Sequence, residues 1–279
     1  KIAIPRIFVI KKKWSKSCSA LLLMEDLSDR ARTGRITEGI SAEGIRGILR
    51  ILAQFHALSM IKKDEWLKIV GDAELPQYFY LLEMLTQNNN LQRYITKNGA
   101  QFGIPESYII RSYTKRYITK NGAQFGIPEC LVHGNPIASH FFFYLNNKQN
   151  THELLNTNLE KGIVLIDWTQ THCGCIGEDL AKCICWNMPT KERNETQLVK
   201  LLQYYHYQLL KRLQSFGADA DFQKEITLDR VTDAFEHYIP LAALTFLLFL
   251  PEDLNDANSA VLEKAHQLLE EAETAIGNF

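Results

Sequence analysis

Neither glycine loop that commonly wraps a nucleotide's phosphates is present in these 279 residues, since no G-x-G-x-x-G and no G-x-x-x-x-G-K-[ST] occurs. A G-x-S-x-G elbow is also missing, and the serines near His133 and Asp167 have no such context, so a Ser-His-Asp hydrolase is set aside. Charge of either sign is not in excess. With 31 Lys and Arg against 32 Asp and Glu, the net charge of −1 leaves no electrostatic footprint for nucleic acid or an acidic surface. Long apolar runs are lacking too. The longest, Ile239 to Leu250, is too short to span a bilayer and reads as a buried helix. Ile2 to Ile10 is broken by Pro5 and Arg6 and followed by three lysines, so no secretory signal is read there. These absences predict a soluble cytoplasmic protein with no nucleic-acid or membrane partner. The length suits one large domain or two modest ones, and 46% hydrophobic composition is ordinary for a globular chain.

The C-x₂-C spacing of zinc sites is absent, although four of the six cysteines fall together as Cys173-x-Cys175 and Cys183-x-Cys185. Two residues apart on a helix, Cys183 and Cys185 point roughly 200° from one another and cannot chelate one ion. Zinc is therefore not expected, and the thiols read as reduced and mostly buried, with Cys18 and Cys130 as isolated hydrophobes.

What is present centres on Cys130 to Gln170. CLVHGNPIASHFFFY opens with an apolar strand at Leu131-Val132, bends at His133-Gly134, and continues into a second buried run from Phe141 to Tyr144. A polar loop from Asn146 to Lys161 follows, then a third strand, Ile163 to Ile166, ending in Asp167. A carboxylate at the end of a buried strand needs a partner, which a magnesium ion or a set of structural hydrogen bonds would supply.

Around this stretch the pattern is strand, then helix. Ile4 to Ile10 reads as an edge strand because Pro5 cannot donate to a ladder, and Ala20 to Met24 as a second strand. From Ser41, a cap with Gly44, the residues Ile45, Ile48, Leu49, Leu52, Phe55, His56 and Ser59 share one helical face, with His56 as a core histidine. Leu75 to Leu91 predicts a further helix. RYITKNGAQFGIPE occurs at Arg93–Glu106 and again, unchanged, at Arg116–Glu129. Two copies cannot build a solenoid, and their Asn-Gly and Gly-Ile-Pro breaks predict irregular, exposed segments from a local duplication, the first copy being the insert. Helices are also predicted over Thr196 to Phe216 with Gly217 as the stop, over Ile226 to Leu250 as a pair divided at Pro240, and over Asn258 to Ile276 with Glu263, Glu270, Glu271 and Glu273 on its wet side. Tyr204, Tyr205, Tyr207, Phe235, His237 and Tyr238 read mostly as core.

LLLMEDL, LAQFHALSM, HGN-x₄-H, IDWTQ and the EDLA of Glu178–Ala181, in that order, resemble the kinases of the aminoglycoside/choline kinase type. More narrowly they resemble the CHK kinase-like group, the ecdysteroid kinase-like and nematode DUF1679-type proteins. The resemblance covers nearly the whole chain. It implies an α+β, protein-kinase-like fold, with residues 1–30 a remnant of the small lobe and hinge and residues 31–279 a mainly helical large lobe holding the duplicated segments 93–106 and 116–129. A glycine-rich loop and a Lys–Glu pair belong to such a small lobe, so upstream sequence encoding them is expected.

Carried over by position, Asn135 stands where the family has its catalytic Asp, beside His133, and His140 where it has a metal-binding Asn. Asp167 matches the magnesium-binding Asp. The backbone of Met24, Glu25, Asp26 and Leu27 would meet adenine as the hinge, although pattern alone reads it equally as a strand running into a loop. Asp179 would cap its helix and hold the catalytic loop by backbone hydrogen bonds, and the aromatic set would help form the acceptor pocket. Thr169, between Trp168 and Gln170, departs from the family's spelling. An amide at Asn135 cannot take a proton, which removes base assistance of roughly 10²–10⁴-fold, and a histidine is a poor partner for magnesium. The resemblance thus implies an O-phosphotransferase using ATP and Mg²⁺ on a small-molecule hydroxyl acceptor, with weak or no catalysis. The alternative is a pseudokinase-like binding or scaffold protein.

Overall fold

The computed structural model describes residues 4–11, 21–70, 122–144, 162–247, 250 and 259–277. The helix predicted at Leu75–Leu91, the first repeat copy and the loop after Tyr144 lie outside them. The opening strands are β1 (Ile7–Lys11) and β2 (Leu21–Met24), an antiparallel pair with a register shift between Ile7 and Val9. Next come β3 (Ala31–Thr33), α1 (Ala42–Ile61) and α2 (Lys63–Val70). Then follow β4 (Cys130–Val132), β5 (Phe141–Tyr144), β6 (Ile163–Leu165) and β7 (His172–Gly174). The rest is helical: α3 (Ile176–Asn187), α4 (Glu195–Ser215), α5 (Ala220–Glu225), α6 (Leu228–Phe246) and α7 (Ser259–Gly277). The fold is α+β, mostly helical with small antiparallel sheets: β3-β5-β6, β4-β7 and β1-β2.

The helical face read from Ser41 onward forms for the predicted reason. Ser41 Oγ accepts the Gly44 N–H at 3.3 Å, and Ile45, Ile48, Leu49, Leu52, Phe55, His56 and Ser59 are all buried. This face packs against α4, whose Leu201, Leu202, Tyr205, Leu209 and Leu213 are buried in turn. α4 is capped by Asn194 and stops at Gly217, which adopts φ +87°. Helix α3 packs mainly on α6 and also on α1, and it is buried at every position, as a helix must be when it is enclosed on all sides. Its approach to α6 is close because Gly177 has no side chain: a Cβ there would sit 2.4 Å from the Ala234 carbonyl oxygen.

Four expectations need correction. Pro240 does not divide the helix, and α6 runs through it. The hydrogen bond lost by proline would have served the Glu236 carbonyl, on an exposed residue that water can reach. Leu241, Ala242, Ala243 and Phe246 then hold the second half in the core. Glu271 is not simply on a wet face, because its Oε1 accepts from Arg193 Nη2 at 2.6 Å. In the second repeat copy the Gly-Ile-Pro break is a turn with Gly126 at φ +65°, but it is not exposed. Ile127 enters the core and Phe125 packs edge-on against His237, since burying two apolar side chains outweighs the irregular backbone around them. Finally, Asp179 is not an N-cap. That position is Cys175, with no side-chain cap bond, and Asp179 lies in the first turn of α3. Two three-residue strands, β3 and β7, were not predicted; alternation cannot register over so short a run.

Candidate functional site

The bend after β4 is fixed by backbone chemistry first. Gly134 has φ +79°, and a Cβ there would lie 2.3 Å from the Gln170 carbonyl oxygen, so only glycine fits. Asp179, fully buried, accepts the His133 N–H at 2.7 Å and the Gly134 N–H at 2.8 Å, one on each carboxylate oxygen. His56 Nε2 lies 3.0 Å from the same carboxylate, and its Nδ1 is 2.6 Å from the Tyr205 hydroxyl. Burial works to raise the Asp179 pKa, but the His56 hydrogen bond and neighbouring histidines outweigh it and hold the carboxyl below its usual range. Burial also pushes Tyr205 well up, so its hydroxyl keeps its proton and donates. His56 is a core histidine, as predicted, and it also carries a buried relay from α4 to the bend.

A second network grips the same glycine from behind. Lys182 Nζ donates to the Gly134 carbonyl at 2.7 Å and to Glu178 Oε1 at 2.6 Å. His172 Nε2 lies 3.2 Å from Glu178 Oε2, and its Nδ1 lies 2.7 Å from the Gln170 carbonyl oxygen. Both ring nitrogens thus face acceptors, and the ring satisfies them only as an imidazolium. Burial opposes that charge, but Glu178 beside it raises the His172 pKa. Glu178 is penalised by burial in the same way, yet Lys182 and His172 hold it far below the carboxylate range. Sequence reading did not name Lys182, Glu178 or His172 as site residues. The Glu-to-Lys spacing of four on a helix was the available signal for the first two.

In front of the bend stand the residues carried over by position. Ile166 N–H donates to the His140 carbonyl at 3.0 Å, and His133 Nε2 donates to the Ile166 carbonyl at 2.8 Å, so the bend and the end of β6 are joined directly. His133 Nδ1 accepts the Asn135 N–H at 3.3 Å. The ring is therefore the neutral Nε2–H tautomer, and burial lowers its pKa accordingly. Trp168 packs edge-on against both His133 and Phe55. Asp167 adopts φ +58°, a left-handed conformation rare outside glycine. Its Oδ1 accepts from the Thr169 hydroxyl at 2.5 Å and from the Thr169 N–H at 3.3 Å. Burial acts to raise the Asp167 pKa; the Thr169 hydrogen bonds and nearby His140 more than cancel it and leave the carboxyl low.

His140 bridges Asn135 and Asp167. Its Nδ1 donates to the Asn135 carbonyl at 2.9 Å, and its Nε2 lies 3.2 Å from Asp167 Oδ2. Among the described residues Asn135 bonds through its backbone N–H and carbonyl and not through its side-chain amide. The donor set here is one carboxylate, an imidazole and an amide, poorly matched to magnesium, which takes oxygen ligands in a near-octahedral array. Among the described residues no group of three or more His, Cys, Asp or Glu could hold a metal ion. The described thiols form no disulfide with one another, and burial raises Cys175 and Cys185 to about 12, far from thiolate.

Met24 to Leu27 stand at the end of β2. Leu27 packs with Ala31 and Val164, alongside Ile166, and so lies against the strand that carries Asp167. Two backbone groups of this segment have partners elsewhere in the chain. The Glu25 N–H donates to the Arg6 carbonyl at 2.8 Å, and the Asp26 carbonyl accepts from Arg30 at 3.0 Å. No helix among the described residues is long and apolar enough to cross a membrane.

A family model described as "DUF1679: Uncharacterized oxidoreductase dhs-27" matches residues 1–276. No curated protein matches the chain. Among solved structures the chain is similar to a GDP complex of a mutant aminoglycoside 2'-phosphotransferase IIIa. The identity is 14%, 100% of this chain and 77% of that chain are covered, and the TM-score of 0.48 is too low to argue from.

Proposed function

We propose, from the premise that this chain belongs to the DUF1679 family, that it is a kinase-like protein with a phosphotransferase-type cleft. The cleft would take a nucleotide and a small molecule bearing a hydroxyl, with phosphoryl transfer weak or lost. The observation that supports this is the junction of the bend and β6. His133 reaches the Ile166 carbonyl, and His140 meets both the Asn135 backbone carbonyl and the Asp167 carboxylate. In the aminoglycoside/choline kinase resemblance the corner at this junction faces the phosphates. Here Asn135 can orient an acceptor hydroxyl by hydrogen bonding but cannot remove its proton. Positioning contributes much of phosphoryl-transfer catalysis, so a bound pair of ligands would still be held in place.

The oxidoreductase of the family's printed description finds no dinucleotide-binding glycine pattern in this sequence, and the reading follows the corner instead. A cytoplasmic setting suits the absence of disulfides among the described cysteines. Hydrogen exchange with and without ATP tests the proposal. Slowed exchange is expected in Cys130–His140 and in Ile163–Gln170. No slowing at millimolar ATP, or slowing confined to other segments, would overturn it. Turnover of ATP in the presence of a hydroxyl acceptor would replace the impaired reading with an active one.

A further inference from the structure

The family's resemblance implies a divalent cation between Asp167 and the residue at position 140, and the side chains present do not fit one. We infer that His140 stands in the cation's place, so that this corner excludes magnesium. The inference rests on the kinase-like reading of the corner. Its physical basis is how completely the ring is held. The His140 carbonyl accepts the Ile166 N–H at 3.0 Å, which ties its backbone to β6. Its Nδ1 donates to the Asn135 carbonyl at 2.9 Å, which sets the plane of the ring. With both fixed, Nε2 lies 3.2 Å from Asp167 Oδ2.

The carboxylate's other oxygen is taken by Thr169 through both its hydroxyl and its N–H. Asp167 thus has a protein group against each oxygen before any ligand arrives. A magnesium ion would need an oxygen at about 2.0–2.1 Å and would have to displace the ring to reach it. An asparagine at 140 would offer a carbonyl oxygen, whereas a histidine offers nitrogen, which magnesium takes poorly. The same replacement therefore removes a ligand and blocks its partner.

Terbium, a hard oxygen-seeking cation whose luminescence is sensitised by a neighbouring indole, probes the corner through Trp168, next to Asp167 in the chain. In the wild-type chain the terbium signal is expected to be unchanged by Asp167→Asn. In His140→Asn, affinity is expected to rise on the order of tenfold, the scale on which groups around a metal site change affinity. That gain should vanish in His140→Asn combined with Asp167→Asn, and excess magnesium should compete it away. A wild-type signal that falls with Asp167→Asn overturns the inference without any variant at 140. A folded His140→Asn chain that gains no signal overturns it as well, because the histidine is then not what keeps the cation out. No nucleotide enters the experiment, so its failure is distinct from failure of the nucleotide reading, which hydrogen exchange decides alone.

Discussion

The rear and the front of the His133-Gly134 bend are built under different rules. Behind it, Asp179, His56, Tyr205, Lys182, Glu178 and His172 are buried, and each meets a partner of matching chemistry. In front, Asn135, His140 and Asp167 are only partly buried, and two of the three depart from the pattern that the aminoglycoside/choline kinase resemblance implies. A buried charge without its partner costs several kcal/mol, so rear positions cannot drift singly without unfolding the chain. Front positions pay no such penalty, because water satisfies whatever a substitution leaves open. The comparison teaches that a well-formed loop is evidence of stability constraints, while chemistry must be judged from the front alone.

Removing the rear's central acceptor should have the largest effect. Asp179→Ala leaves the His133 and Gly134 N–H groups and His56 without their common partner, and about 3–5 kcal/mol of stability should be lost in denaturant titration. A loss below about 1 kcal/mol would erase the contrast between the two sides. Gly134→Ala comes next, at about 1–3 kcal/mol from its positive φ alone and more from the clash with the Gln170 carbonyl, again read from the denaturation midpoint.

The charge network behind the bend should make stability depend on pH in a defined direction. The folded-state pKa of His172 is raised, so its contribution is complete below the unfolded value of about 6.5 and disappears as pH rises through the folded value. The depressed pKa values of Glu178 and Asp179 act oppositely: their contributions are present above about 4 and are lost as pH falls towards the folded values. Melting temperature should therefore be highest between these limits, and His172→Gln should flatten the alkaline limb. An unchanged alkaline limb in that variant would remove His172 from the network.

Front substitutions should move stability least. Asn135→Asp with His140→Asn is expected to shift unfolding by less than about 1 kcal/mol. On the pseudokinase-like scaffold alternative it should release no ADP from ATP and magnesium with hydroxyl acceptors. Turnover in that double variant would show that the front alone, and not the surrounding frame, had silenced the chemistry.

The front was legible in the sequence because its residues sit at short, fixed spacings. The bend, the HGN-x₄-H run and the strand ending in Asp167 could be named without coordinates. The rear was only half legible. Asp179 was named from the resemblance but given a helix cap it does not provide, and His56 was read as core without its bonds to Asp179 and Tyr205. Those partners lie 123 and 149 positions away in the chain, beyond the reach of any periodicity. Pro240 shows the opposite failure, a strong local signal overruled by tertiary packing.

Local order was the sequence's own work. Helical faces, caps at Ser41 and Gly217, and the strand before Asp167 follow from side-chain periodicity and backbone freedom, which act over a few residues. Tertiary structure alone decided that His140 turns its ring between Asn135 and Asp167, and that Lys182 and His172 meet across Glu178. Such contacts depend on the relative placement of separate elements, and that placement is set by burying the core as a whole.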